Sequence, residues 1–335
     1  MYTRGLNPTV QVVEEKIALL ERAGGARLLG SGMAAITAAI LSAARNGDHV
    51  VAVRSIYSNA YRLLNGYLPT LGIATTFADF TDLDAVEAAI RPETRVLYLE
   101  SPGNPGMHIV DLEAVARMAQ ERGLVTVIDN TLATPYNQRP LEMGVDLVVH
   151  SVSKYLAGHS DVVAGAVAGS EKRMRAISAN EIRDLGGIIG PFEAWLILRG
   201  IRTLGLRMQA HNHAGLAVAC RLAERSEIER VHYAGLPSHP QHALASRQMR
   251  GFSGLMGVVV RGGMPAAISF ANALRLFGIG VSWGGFESLA LPMSPEDPAM
   301  SPELGIVPGF VRLSIGLEDE ADLLEDLDNA LRGIG

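Results

Sequence analysis

The sequence predicts an α/β protein in which a mostly parallel sheet carries helices on both faces and a smaller α+β domain follows toward the C-terminus. Three observations carry this expectation. Short β-branched and aliphatic runs alternate with helical patterns through the first half of the 335 residues. Those runs are apolar at successive positions, the mark of strands covered on both faces. From Pro191 onward the alternation gives way to a long helical stretch, after which strand and helix signals recur in a different order.

The strand candidates of the first half are HVVAVR (49–54), TRVLYLES (94–101), LVTVIDN (124–130) and DLVVHS (146–151). Between them lie the helical patterns SGMAAITAAILSAAR (31–45), TDLDAVEAAI (81–90) and DLEAVARMAQERG (111–123). The capping-box spacing of Thr81 and Asp84 marks one helix start, and Asp111 marks another. The stretch PFEAWLILRGIRTLGLRMQAHNHAGLAVACRLAERS reads as a helical connection into the second domain. There VVVRG and VRLSIG read as strands, and MPAAISFANALRLFG and EDEADLLEDLDNALRG as helices. The chain is long enough for two cores, and it has no internal repeat or low-complexity tract.

Composition narrows the function. The formal net charge is −6, and Lys and Arg form no cluster that would track phosphates, so a nucleic-acid partner is not expected. The most charged segment, EKRMRAISANEIR (171–183), is mixed in sign and reads as a solvated helix face. The single cysteine, Cys220, excludes an internal disulfide and a cysteine-based zinc site. Its apolar helical setting, GLAVACRLA, reads as that of a small core residue. No apolar run is long enough to span a bilayer, and MYTRGLNPTV carries no hydrophobic signal segment. The expectation is a soluble, cytoplasmic protein with no membrane partner.

Ligands of open α/β sheets bind beyond the carboxyl ends of the strands. Glu100, Asn104, Asp129, Asn130, Thr131, Ser151, Ser153 and Lys154 all fall at or just after such an end. Lys154, partly desolvated there, would be a usable amine nucleophile for Schiff-base chemistry. A lysine snorkelling to the surface fits the same residue. Ser151 and Ser153, two apart on an extended chain, would present their hydroxyls to one face. Ser31, Gly32 and Met33 open a helix whose free N–H groups and dipole suit an anion; an ordinary N-cap ahead of a small-residue helix fits them equally. Asp129 ends an aliphatic strand, where a carboxylate needs a partner such as a protonated ring nitrogen. Lysine, phosphate cradle and strand-end aspartate together describe a site for pyridoxal 5'-phosphate (PLP).

The same residues carry a resemblance. The motifs YTRGLNPT (2–9), SGMAAI (31–36), IYSNAYRLL (56–64), ESPGNP (100–105), DNTLATP (129–135), HSVSKYLAGHSD (150–161), LRGIRTLGLR (198–207) and VRLSIGLED (311–319) run the length of the chain. In that order they resemble the PLP-dependent enzymes of cysteine and methionine metabolism, the trans-sulfuration enzymes. The resemblance implies the type I PLP-dependent transferase fold of the aspartate aminotransferase kind. It also implies a PLP-binding large domain over 1–198, without the N-terminal arm usual in the family, and a C-terminal domain over 199–335.

It implies roles as well. Lys154 attaches the cofactor covalently and moves protons. Ser31, Gly32, Met33, Ser151 and Ser153 hold the phosphate, with Thr131 beside them. Tyr2 and Arg4 reach the phosphate of a neighbouring subunit, which makes the protein a homodimer or homotetramer with shared sites. Tyr57 stacks on the ring and assists proton transfer, Asn104 lies near the ring hydroxyl, and Asp129 pairs with the ring nitrogen. Arg312 binds the substrate α-carboxylate, with Ser282 and Trp283 beside that pocket.

Within the family, VSWGGFESLALP (281–292) has Trp283 where members acting at Cγ more often read SLGG, and MSPEDPAMSPELG (293–305) lacks their Thr-His pair. GIRTLGLR is also similar to the β-lyase form. These features lean toward β-elimination of L-cystathionine, or a related cysteine S-conjugate, to a thiol, pyruvate and ammonia. The alternatives are γ-lyase or γ-synthase chemistry and a catalytically weak PLP-binding relative; the presence of Lys154, Asp129 and Arg312 together argues against the last. Two other classes fit poorly. GHSDV (158–162) has Val162 where a nucleophile elbow requires glycine. His211 and His213, two apart on a helix, cannot share a face, and His232, His239 and His242 read as loop histidines, so no metal is expected.

Overall fold

The computed structural model describes residues 2–295 and 306–333. Seven strands form the first sheet: β1 (Gly25–Leu29), β2 (His49–Val53), β3 (Ala74–Ala78), β4 (Thr94–Glu100), β5 (Val125–Asp129), β6 (Leu147–Ser151) and β7 (Gly165–Gly169). Their order is β1-β7-β6-β5-β4-β2-β3. The run from β3 to β6 is parallel, while β7 pairs antiparallel with both β6 and β1. A second sheet holds β8 (Ile228–His232), β9 (Leu255–Val260), β10 (Gly278–Ile279), β11 (Leu289–Pro292) and β12 (Phe310–Ser314), ordered β10-β11-β12-β9-β8 and antiparallel except between β10 and β11.

The four strands expected in the first half are present and central. Val127, Ile128, Leu147 and Val148 have no solvent exposure, and burying each contributes about 1.5–3 kcal/mol. Both faces of this sheet are covered, which is why the strands read as continuous apolar runs. The pattern does not reveal β1, β3 and β7. The segment GAVAG of β7 is poor in β-branched residues, yet its glycine is required. A Cβ on Gly165 would lie 2.1 Å from the Ser31 carbonyl oxygen, so only glycine lets the strand reach the start of the Gly32–Leu41 helix.

Helix starts follow short-range chemistry. Asp111 caps the Leu112–Glu121 helix by accepting from the Ala114 N–H. The cap predicted at Thr81 belongs instead to Asp82, which accepts from the Asp84 and Ala85 N–H groups. Thr81 turns away and donates its hydroxyl to Asp79 Oδ1 at 2.7 Å. The long helical stretch after Pro191 is two helices, Pro191–Ile201 and Leu204–Ala223.

Two further expectations are corrected. Cys220 is exposed, because the buried stripe of its helix runs through Met208, His211, Gly215, Val218, Ala219 and Leu222 and leaves position 220 outside. In the segment 171–183 Glu181 is buried and paired with Arg45 at 3.2 Å, so this face is not wholly solvated.

Among the described residues no helix is long and apolar enough to cross a membrane, and no group of three or more His, Cys, Asp or Glu could hold a metal ion. Two of the histidines, His232 and His239, are held toward the neutral form. Burial first, and then neighbouring charge from Arg230 on His232 and from His108 on His239, pulls both down to about 4. An unfolded histidine titrates near 6.5, so below that pH the unfolded chain takes up protons that the folded chain refuses. The stability these residues contribute is complete above pH 6.5 and is lost as pH falls toward 4. A His239→Gln variant is therefore expected to lose less stability than the parent between pH 6.5 and 4.5. Equal losses in guanidinium midpoint at the two pH values would remove His239 from this role.

Candidate active site

β4, β5 and β6 end side by side. Glu100 and Asp129 are register partners across β4 and β5, and β6 ends on Ser151. The chain then turns tightly, so Ser153 and Lys154 follow the strand rather than extend it. The extended-chain spacing expected for Ser151 and Ser153 thus stops at Ser151, and the Ser153 hydroxyl is committed to the backbone of Ala164, donating to its carbonyl at 3.2 Å and accepting from its N–H at 2.9 Å. Ser151 stands against the first helix turn: a Cβ on Gly32 would lie 2.9 Å from Ser151 Cβ and 3.0 Å from its Oγ. Ser31 caps that helix by accepting from the Ala34 N–H at 3.0 Å, while Met33 packs into the core of the first sheet. A ten-residue helix with no acidic residue in its first turn thus opens beside a serine hydroxyl, an arrangement that fits a phosphate group.

Lys154 is half-buried and its ammonium donates to Ser282 Oγ at 2.8 Å. Its nitrogen also lies 5.4 Å from the centre of the Trp283 ring. Burial, reinforced by the nearby Arg312 charge and opposed by Glu287, lowers its pKa to about 8. Arg312, on β12, is buried; it donates to the carbonyls of Val281 and, at 3.4 Å, Ser282. Burial lowers its pKa to about 10, which leaves it a cation at neutral pH. One loop, 281–285, therefore touches both cations. The loop is fastened behind: Ser288 donates its N–H and hydroxyl to Glu318, each at 2.8 Å, and Ser160 donates to Glu287 at 2.6 Å.

Asp129 is buried, and burial pushes its carboxyl up, opposed by hydrogen bonds from Thr131. Thr131 donates both its N–H, at 2.9 Å, and its hydroxyl to Asp129 Oδ1, and that hydroxyl accepts from the Ser151 N–H at 2.8 Å. These donors are neutral, so the chemistry of the carboxylate matches a protonated ring nitrogen. Asn104 is buried with its Oδ1 unpartnered, a polar atom that a ring substituent would satisfy. Tyr57 is 39% exposed, and Asn59 donates to its hydroxyl at 2.5 Å. Lys154, Ser151, Gly32, Thr131, Asp129 and Asn104 at the ends of the first sheet, with Tyr57 in the loop after β2 and with Ser282, Trp283 and Arg312 from the second sheet and its loop, have the chemistry that attachment, phosphate, ring and carboxylate contacts would need, and they fit PLP and an amino-acid substrate. Tyr2 and Arg4 stand apart: Tyr2 is 71% exposed, and Arg4 donates to the Arg183 carbonyl at 2.9 Å.

Two supporting residues have no role that the sequence pattern discloses. Arg207 is buried within the motif LRGIRTLGLR and donates to the carbonyls of Tyr155 (2.7 Å) and Gly200 (2.8 Å), gripping the turn that bears Lys154. Gly158, at φ +71°, makes room for it, since a Cβ there would lie 1.9 Å from Arg207 Nη1. The other is Glu100, whose oxygens accept from Tyr57 N–H at 2.7 Å and Asn104 N–H at 3.0 Å. A buried charge at a strand end is the available signal for the second; the first has none beyond an arginine in a helical pattern.

Comparison with known proteins agrees along the whole chain. The model of the Cys/Met metabolism PLP-dependent enzymes matches residues 1–332. An L-methionine gamma-lyase of Pseudomonas putida is 43% identical over 99% of this chain and 85% of its own length. An O-succinylhomoserine sulfhydrylase of Pseudomonas aeruginosa is 40% identical over 100% of this chain and 84% of its own length. A cystathionine gamma-synthase of Mycobacterium tuberculosis is 42% identical over 98% and 86%. The crystal structure of metB from Corynebacterium glutamicum matches with a TM-score of 0.94 at 37% identity, covering 100% of this chain and 87% of that one.

Proposed function

We propose that this chain, which belongs to the Cys/Met metabolism PLP-dependent enzymes, acts at Cγ of an amino acid of the homoserine or homocysteine type, cleaving or exchanging the group carried there. Its fold is that of the type I PLP-dependent enzymes, its cofactor is PLP, and it is an enzyme of carbon–sulfur bond chemistry. The observation that carries the finer reading is the naming of its relatives: a methionine gamma-lyase, a cystathionine gamma-synthase and an O-succinylhomoserine sulfhydrylase, each matched over nearly all of this chain.

This reading replaces the lean toward β-elimination. That lean rested on Trp283, and Trp283 has a packing explanation: its ring lies 5.6 Å from that of Tyr155, and it packs on Met107, Leu132 and Leu255. Its other supports were the form of GIRTLGLR, whose Arg207 holds the turn bearing Lys154, and the missing Thr-His pair of 293–305, which lies mostly outside the described residues.

Bound PLP supplies an electron sink for the charge left when a proton leaves the substrate. The chain does the rest. Arg312 holds the α-carboxylate with a planar fork of donors and so aims Cα at Lys154. Lys154 Nζ, its pKa lowered to about 8, would take the proton from Cα, give it up, and so be free to take one from Cβ, the second removal that departure from Cγ requires. Ser282 keeps that nitrogen on the substrate side. Asp129 would hold a positive charge on the ring nitrogen, Ser151 and the Gly32 helix start would hold the phosphate, and Tyr57 would cover the ring. Tyr2 and Arg4 complete the site of a second copy of the chain, in a cytoplasmic homodimer or homotetramer.

Product identity tests the reading. PLP-loaded protein is incubated separately with L-methionine, L-cystathionine and O-succinyl-L-homoserine, and the keto acid is identified. 2-Oxobutyrate is expected. Pyruvate from cystathionine, with the other two untouched, would restore β-elimination and discard the Cγ reading. The carboxylate role is tested by Arg312→Lys, which keeps the charge but loses the fork. It should lower kcat/KM by about 10–100-fold, mostly through KM. An unchanged substrate dependence would remove Arg312 from that role.

A further inference from the structure

We propose that Glu100 is a positioning residue of the cofactor pocket, whose carboxylate binds the backbones of Tyr57 and Asn104 into one unit against the ring. The inference rests on the PLP site described above and extends it to a residue whose two oxygens both face backbone N–H groups.

Three observations carry it. Glu100 ends β4 and is 7% exposed; burial, reinforced by the neighbouring Asp129, pushes its carboxyl well above the usual carboxylate range, opposed by hydrogen bonds from the Asn104 and Tyr57 N–H groups. Its two oxygens are divided between two different loops. Oε2 accepts from the Tyr57 N–H at 2.7 Å, in the loop after β2, and Oε1 accepts from the Asn104 N–H at 3.0 Å, in its own loop after β4. Tyr57 is the N-cap of the short helix Ser58–Arg62 and makes no side-chain cap; its carbonyl accepts from the Tyr61 N–H at 3.0 Å, and Glu100 takes the N–H that the helix leaves free. The ring of Tyr57 is more than one-third exposed, and Asn104 Oδ1 is unpartnered. Both side chains therefore depend on their backbones for placement. Glu100 is also the register partner of Asp129, so the clamp sits on the strand next to the one that ends in the ring-nitrogen carboxylate. A second glycine adds to the fit: a Cβ on Gly103 would lie 2.8 Å from both the Ser55 carbonyl and its Oγ, so the two loops are in close contact just beyond the clamp.

A buried carboxylate is an expensive way to fasten two loops. Placed far from any site it would be replaceable by an apolar contact. Its location between the two loops whose side chains would contact the cofactor is what gives so costly a buried carboxyl a reason.

Glu100→Gln tests this, because it keeps shape and volume while turning one acceptor into a donor that faces an N–H group. The apo-protein is titrated with PLP, and the circular dichroism of the bound cofactor is recorded. The variant should bind PLP about 10-fold more weakly, with an altered cofactor signal, and kcat should fall while substrate KM stays within about threefold. In a Tyr57→Ala/Asn104→Ala background the same change should have under about threefold further effect, because the groups through which it acts are gone. An unaltered cofactor signal and affinity, or full additivity with that background, overturns the proposal, even if thermal stability falls. If Glu100→Gln does not fold, the same comparisons are made with Glu100→Asp, whose shorter carboxylate keeps the charge but reaches one amide. Wild-type protein that takes up no PLP would overturn the cofactor site and this inference together; wild-type uptake with an unaltered variant overturns the inference alone.

Discussion

Lys154→Ala is expected to abolish turnover, by at least about 10³-fold, and to remove the visible absorbance of covalently held cofactor. Both losses follow from one atom, because the proposed mechanism makes Nζ the attachment point and the proton carrier. The fold should survive the change. The ammonium is half-buried, its direct partner is the neutral hydroxyl of Ser282, and burial works against its charge. Truncation removes that cost, so the thermal midpoint should hold or rise. Retained absorbance and turnover in the variant would end the assignment. The wild-type protein offers a second check. Only the neutral amine attacks a carbonyl, and the pKa is about 8. The rate at which apo-protein captures PLP should therefore climb as pH rises through 8 and level off above about 9. A rate flat from pH 6 to 9 would place the attaching group elsewhere.

Asp129→Asn should lower kcat by about 10²-fold or more, with far less effect on the amount of PLP bound. The amide keeps the shape of the carboxylate, and its carbonyl oxygen can still accept from the Thr131 N–H, so β5 should end as before. What it loses is the negative charge opposite the ring nitrogen, and with it the means of keeping that nitrogen protonated. The phosphate cradle of Ser151 and the Gly32–Leu41 helix start is built on other elements and stays intact. This separates holding the cofactor from activating it. A kcat within about threefold of the parent, at full PLP occupancy, would show that Asp129 serves only the fold.

Much of the site is legible in the sequence. Lys154, Ser151 and Asp129 stand at the ends of strands that the β-branched pattern marks, and residues at strand ends share one edge of the sheet without further information. Where the pattern misleads, the causes are local. Thr81 and Asp84 have capping-box spacing, but Asp82 offers a better geometry one residue later. Cys220 lies in an apolar stretch, yet apolar residues surround it on the helix while the buried stripe passes it by. Ser153 is two residues from Ser151 in sequence, and the turn that lifts Lys154 breaks the strand period between them. Trp283 reads as a marker of reaction type; in place it is a ring packed near Tyr155.

By itself the sequence determined the family and the class of fold, and it placed a lysine, a serine-capped helix start and a strand-end carboxylate on a parallel α/β sheet. These are short-range facts, set by strand and helix periods over a few residues. Only the tertiary structure decided which distant groups meet them. Ser282 reaches Lys154 across 128 positions, and Arg312 arrives beside both from the second sheet. Glu100 clasps Tyr57 across 43. Such meetings depend on how two sheets and their loops pack together, a balance of burial and hydrogen bonding over the whole chain that no short window contains.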